Sequence, residues 1–104
     1  MLFVVHALDR PNGLDNRMKN YRDHRAHLDR AEAEGIEIVT AGPLVADDGE
    51  TPIGSLFVCK ANDRTTVEAF CNADPYKANG VWETIQVHAY VNRRGWASHG
   101  SAGL

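Results

Sequence analysis

The chain has 104 residues, a formal net charge of −3, 43% hydrophobic residues and 24% charged ones, the make-up of one globular domain with a modest core of its own. Its eleven Lys and Arg are scattered among fourteen acids, so nothing resembles the basic face that holds a phosphate backbone, and nucleic acid is not expected as a partner.

Leu2 to Leu8 is a short apolar run closed by Asp9-Arg10-Pro11-Asn12-Gly13, which reads as a strand and a loop. A strand that begins at residue 2 is expected to be an inner one, tied down from its start. No basic segment precedes it, so it does not read as a signal peptide. No stretch approaches the ~18 apolar residues of a membrane helix. The cytoplasm is the expected location.

From Leu14 to Glu34 the period becomes helical. Leu14, Met18, Tyr21, Leu28 and Ala31 form one apolar stripe, and Gly35 stands where a helix-ending glycine would. His24 falls on that stripe. Ile36 to Val45 reads as the second strand, with Gly42-Pro43 removing a ladder donor and pointing to a bulge or a sheet edge. Asp48-Gly49 marks a hairpin turn, and Ile53 to Lys60 reads as the third strand.

Asn62-Asp63 offers a cap for a second helix carrying Val67, Ala69, Phe70 and Cys71, which the proline after Asp74 should end near that residue. A short turn over Tyr76 to Gly80 leads to a fourth strand from about Trp82 to Asn92. Arg93 to Leu104 is small, polar and Gly/Ser-rich, the composition of a loose tail. The order β-α-β-β-α-β is the ferredoxin-like α+β arrangement, a four-stranded antiparallel sheet with two helices on one face. The first strand is apolar on both sides, so the face away from the helices should be covered as well, and a face-to-face homodimer is expected.

Several residues could carry chemistry. An imidazole on an apolar helix face is either a hydrogen-bonded core histidine or a general acid or base suited to neutral pH. Asp74 either caps the turn after the helix or orients an imidazole as carboxylates do in acid–base pairs. His6 and His88, on strands one and four, are neighbours in such a sheet and could share a face. His24 and His27 have a spacing that permits a metal, but no His-Glu-x-x-His pattern accompanies them and no metal is expected. Arg22 and Arg25 could bind an anion or form a solvated face. Ser55 sits at the start of strand three without a nucleophile elbow, so it reads as a hydrogen-bonding group. Cys59 and Cys71, in no metal-type spacing, read as buried thiols in a reducing compartment.

The words Leu2-Phe3-Val4-Val5-His6-Ala7-Leu8-Asp9, Leu14-Asp15-Asn16-Arg17, His24 upstream of Gly35, Ala41-Gly42-Pro43-Leu44, Gly54-Ser55, Ala73-Asp74-Pro75-Tyr76 and Gly80-Val81 stand in an order that resembles the YCII-related family over residues 1–92, with 93–104 as a tail. The resemblance implies a homodimer akin to the dimeric α+β barrels. It also implies a site in which a histidine and an aspartate fall on His24 and Asp74, with Gly42, Pro43, Ser55 and Tyr76 flanking the cleft. The family's Arg-Pro-x-His is here Tyr21-Arg22-Asp23-His24, which leaves Arg22 or Arg25 as the substitute anion binder. One branch of the family looks like a dehydrochlorinase of chlorinated hydroxyquinols, and the wider group includes muconolactone isomerases. The expected activity is therefore cofactor-free proton transfer by His24 and Asp74, giving isomerisation or elimination of a lactone or halogenated hydroxyaromatic compound. A non-catalytic small-ligand-binding or dimerisation domain is the alternative.

Overall fold

Strand β1 (Leu2–Asp9) alternates as a sheet with one closed face must: Phe3, Val5 and Ala7 are buried, while Leu2, Val4 and His6 are only half-buried and Leu8 is exposed. The computed structural model describes residues 1–95, so the expected tail lies outside the described residues from position 96 onward. After β1 come α1 (Leu14–Leu28), a short 3-10 turn (Glu32–Glu34), β2 (Glu37–Val45), β3 (Pro52–Lys60), α2 (Arg64–Asn72), α3 (Pro75–Ala78) and β4 (Trp82–Tyr90). The strands form one antiparallel sheet in the order β2-β3-β1-β4, the ferredoxin-like α+β topology. β1 is an inner strand and β2, with its Gly42-Pro43, is an edge. The register of β2 against β3 shifts between Ile38 and Thr40 and again between Leu44 and Val45.

Asp63 caps α2, its carboxylate accepting from the Thr66 amide at 2.8 Å. Val67, Phe70 and Cys71 of that helix enter a core with Val5, Phe57 and Val81. The hairpin joining β2 and β3 turns through Gly49 at φ +76°. Gly54 allows a close approach: a Cβ there would stand 2.3 Å from the Ala7 carbonyl oxygen, so glycine lets β3 close on β1 and seats the next residue, Ser55, in the buried layer. Among the described residues no helix is long and apolar enough to cross a membrane.

Two expectations about the first helix are corrected. It ends at Leu28, not Glu34: the Arg30 and Ala31 amides donate to the carbonyls three residues back, at 3.1 Å each, and the chain tightens. Helix-forming residues continue to Glu34, but the tightened segment, with Gly35 at φ +79°, carries both Ala31 and Ile36 into the core. Packing overrides propensity here. The first half of the apolar stripe also does not face the core. Leu14, Met18 and Tyr21 are 42%, 57% and 45% exposed, whereas the buried residues of α1 are Arg17, Asn20, His24 and His27.

Beyond α2 the chain does not simply turn. Helix α2 closes at Asn72, and Asp74 begins the separate one-turn helix α3, with Pro75 at a first-turn position that needs no amide proton. Helix α3 packs on α1, and α2 lies on β4. Asn16 and Asn20 of α1 clasp Asn79 just past α3: the Asn16 side-chain amide donates to the Asn79 carbonyl at 3.0 Å, and the Asn79 side-chain amide donates to Asn20 Oδ1 at 2.7 Å.

Cys59 and Cys71 are free and buried. Burial pushes the Cys59 thiol from 9.0 up to about 11 and the Cys71 thiol up to about 12, the latter also raised by nearby negative groups. The folded state therefore holds these protons after the unfolded chain has released them. The stability this contributes is complete below about pH 9 and is lost as pH climbs through the folded values. The denaturation midpoint, followed by circular dichroism, is expected to fall above about pH 9, and native protein at about pH 8 should resist a thiol reagent that labels it in denaturant. Rapid labelling of native protein would contradict the burial.

Candidate active site

The site starts from a carboxylate that the chain has taken out of water. Asp74 is 1% exposed, and its position ahead of α3 dictates part of its bonding: Oδ1 accepts from the Tyr76 amide at 2.8 Å. That leaves lone pairs with no solvent to satisfy them. His24 supplies the partner from α1, its Nδ1 lying 2.9 Å from Oδ1 and 2.7 Å from Oδ2. Nδ1 therefore donates to a carboxylate, and the ring's orientation is fixed. The capping and imidazole-orienting roles read as alternatives for Asp74 coexist. Nε2 of His24 has no hydrogen-bond partner among the described residues, and the side chain lines a cavity.

Aromatic groups lock the ring from its sides. The Tyr76 ring stacks on it with centroids 3.9 Å apart and planes 7° from parallel, and Trp82 meets it edge-on at 6.0 Å. Tyr76 is fully buried, its hydroxyl has no partner among the described residues, and burial raises its pKa so that it stays protonated.

A second polar cluster stands beside the first. Arg17, two helical turns before His24 and so on the same face of α1, places Nη1 2.8 and 3.0 Å from the two Asp9 oxygens and Nη2 2.9 Å from Ser55 Oγ. Both members of the Arg17–Asp9 pair are 6% exposed at the side chain. Trp82 Nε1 also donates to Ser55 Oγ, at 3.2 Å. The Arg17 guanidinium carbon lies 4.7 Å from the Tyr76 ring centre, joining the two clusters.

Between α1 and the β2–β3 edge these groups line a cavity of about 340 Å³. Its polar side holds Arg17, His24, Ser55 and Tyr76, and its apolar side Met18, Tyr21, Leu28, Pro43, Leu56 and Phe57. Met18, Tyr21 and Leu28, read as part of a core-facing stripe, thus wall the cavity.

Of the residues singled out in the sequence, His24, Ser55, Tyr76, Gly42 and Pro43 line this cavity, and Asp74 lies directly behind His24. Arg22 is not brought there: it is exposed and borders a separate hollow with Asp29, whereas Arg25 reaches the cavity wall. His27 goes elsewhere, its Nε2 bonding the Phe70 carbonyl at 2.7 Å, so it is the hydrogen-bonded core histidine. His6 and His88 lie on the sheet face away from the helices, since Val4 pairs with His88. Among the described residues no three His, Cys, Asp or Glu side chains gather as a metal site. Arg17, Asp9 and Trp82 were missed. The shared helix face of Arg17 and His24 was the available signal.

The sequence matches the YCII-related domain over residues 1–90. It is 33% identical to Protein YciI of Escherichia coli O6:H1 over 95 residues, covering 86% of this chain and 96% of that one. It is 30% identical to an uncharacterized protein of Haemophilus influenzae over the same length and shares of each chain. Among solved structures, the 5-chloro-2-hydroxyhydroquinone dehydrochlorinase of Burkholderia phenoliruptrix AC1100, in complex with 2,5-dihydroxybenzoquinone, is similar with a TM-score of 0.76 and 29% identity, over 86% of this chain and 93% of that one. The C-terminal domain of the MgtC protein of Mycobacterium tuberculosis shares the fold, with a TM-score of 0.53 and 15% identity over 86% of each chain.

Replacing Arg17 by Met leaves the Asp9 carboxylate buried without its counter-charge, which should cost about 3–5 kcal/mol in a urea titration. Adding Asp9→Asn to that variant should recover much of the loss. A cost below about 1 kcal/mol for Arg17→Met would mean the pair behaves as a solvated surface contact.

Proposed function

The chain belongs to the YCII-related domain family, and from that premise we propose that it is an enzyme that moves a proton next to a carbonyl or enol in a small ring-shaped molecule, with His24 as the general base and acid and Asp74 as its orienting carboxylate. The observation that carries this reading is the His24–Asp74 contact at 2.7 Å on the wall of a cavity. A carboxylate on Nδ1 holds the ring in the tautomer whose Nε2 lone pair is free. Nε2 takes a proton from the substrate, the bonding pair moves toward the carbonyl, and its oxygen becomes an enolate. The imidazolium then returns the proton at another carbon, giving an isomer, or the enolate pair expels a leaving group such as chloride and the imidazolium releases its proton to solvent, giving elimination. Such an exchange is complete without a cofactor.

Substrate size follows from the space. About 340 Å³ lies at the small end of ligand pockets, room for one ring and its substituents. The dehydrochlorinase with the same fold, solved with a dihydroxyquinone, supports a hydroxylated or quinonoid ring over other shapes. Ser55, Tyr76, Gly42 and Pro43 border the same space and are proposed to contact the substrate. Two free, buried thiols fit a reducing cytoplasm.

We further propose that the working unit is a homodimer joined through the helix-free sheet face. Leu8 and Tyr90 there are 41% and 38% exposed, and Leu2, Val4 and Leu56 are only half-covered. Light scattering should give about twice the chain mass of 11.5 kDa, and Val4→Asp should return it to one. A wild-type protein that scatters as a single chain would refute the dimer.

Chemistry is tested with 5-chloro-2-hydroxyhydroquinone and a panel of enol-lactones, following chloride release and proton exchange by NMR in D₂O. The wild type should turn over at least one, and His24→Gln should lower kcat by about 10²–10⁴-fold while the circular dichroism spectrum is retained. Tight binding without turnover or deuterium incorporation would favour a non-catalytic ligand-binding domain.

A further inference from the structure

The helix-free face of the sheet carries two histidines that the proton chemistry above does not use. Residues opposite each other in an antiparallel pair share a face. His6 stands opposite Leu56 on β3 and Gln86 on β4, and Val4 stands opposite Val58 and His88. The two imidazoles are therefore diagonal cross-strand neighbours, within interacting reach of each other. Apolar side chains surround them, with Leu2, Val4 and Leu8 along β1 and Tyr90 opposite Leu2. The charged groups of the face, Lys60 and Glu37, are paired at the corner beside Leu2, four positions along β1 from His6. Among the described residues no carboxylate is a register neighbour of either imidazole on this face, and the ion pairs Arg17–Asp9 and His24–Asp74 belong to the helix side. His6 is half-buried and His88 exposed, so in a single chain water can reach both rings.

We propose that His6 and His88 make the contact between two copies of this chain acid-sensitive, so that the pair holds at neutral pH and comes apart in mild acid. This rests on the homodimer proposed above and adds its regulation. A second copy is the occupant that the face fits. Four strands of eight or nine residues span roughly 20 by 30 Å, and the side chains standing on them bring the accessible area toward the ~800 Å² per partner of a standard interface. In a two-fold contact the same patch serves both copies, so two imidazoles become four on one covered face. Neutral rings can be covered at little cost if they find hydrogen bonds. Charged rings, covered without a carboxylate to answer them and set beside one another, are penalised both by lost hydration and by mutual repulsion. The sign follows. Ordinary imidazoles are neutral above about pH 6.5, where the contact forms; as the pH falls, the separated chains take up protons that the pair cannot hold, and the balance moves to single chains. The other titratable groups of the face are Lys60, Glu37 and Tyr90, and ammonium, carboxyl and phenol groups ordinarily titrate outside the interval from about pH 5.5 to 7.5.

The test is the dimerisation constant of the full chain by sedimentation equilibrium at about pH 7.5 and about pH 5.5, with circular dichroism at both values to establish that the chain stays folded. An imidazole that has to be neutral in the contact weakens it about tenfold over that interval, and each histidine counts twice in a symmetric pair, so the wild-type constant should fall by about a hundredfold or more. His6→Gln and His88→Gln should each reduce the fall, and the double variant should show a change of less than about threefold. The readout is the ratio of one protein's two constants, so a variant that dimerises more weakly at both pH values still decides the matter. A wild-type constant that does not change with pH would overturn the acid response and leave the dimer standing. A fall undiminished in the double variant would overturn the assignment to these two residues. Wild-type protein that sediments as a single chain at about pH 7.5 at every concentration would overturn the dimer and the acid response together.

Discussion

A carboxylate removed from water has to be answered by donors, and Asp74 is the point from which the cavity side of this fold is organised. Its own chain supplies one donor, the Tyr76 amide of the helix it caps. The rest of the demand falls on α1, fifty residues away in sequence, where His24 meets both carboxylate oxygens. Losing either side would leave a buried polar group unmatched, which typically costs several times what a neutral surface bond contributes. This contact, with the bonds of Arg17 to Asp9 and of His27 to the Phe70 carbonyl, holds that face of α1 inward. With His24 turned inward, Arg17 and Asn20 turn inward with it, and Met18 and Tyr21 turn toward the cavity and solvent.

The consequence is a helix that buries polar side chains and leaves apolar ones open, the reverse of a helix that only covers a sheet. Two buried polar clusters then stand side by side, His24–Asp74 and Asp9–Arg17–Ser55–Trp82. Tyr76 touches both through its ring. Such buried networks specify a unique arrangement only when every member is matched. Here the Tyr76 hydroxyl and His24 Nε2 have no partner among the described residues, and both side chains line the same cavity.

Much of this could be read from the residues. The element order, the edge position of Gly42-Pro43 and the cap at Asp63 follow from local rules about donors, turns and carboxylates, which act within a few residues. His24 and Asp74 drew attention because an imidazole on a stripe and a carboxylate before proline each needed an explanation. Their meeting could not be read, since nothing local encodes a contact across that separation. The inward face of α1 was misjudged for a related reason: Leu14, Met18 and Tyr21 look like core by polarity alone, and only the buried carboxylates reveal which face is held down. Arg17 and Asp9 stayed hidden because an arginine on a helix and an aspartate at a strand end usually meet water. Arg22 drew attention by its closeness to His24 in sequence, but it is exposed and borders a separate hollow, and Arg25 is the one on the cavity wall.

The account depends on His24 donating Nδ1–H to Asp74 and keeping Nε2 bare toward the cavity. Long-range proton–nitrogen correlation NMR of the imidazoles, recorded well above the ordinary histidine value of about 6.5, reads that directly. The account predicts a His24 ring protonated at Nδ1, with an Nε2 nitrogen signal typical of an unprotonated acceptor. A ring protonated at Nε2, with Nδ1 bare against the carboxylate, would contradict it.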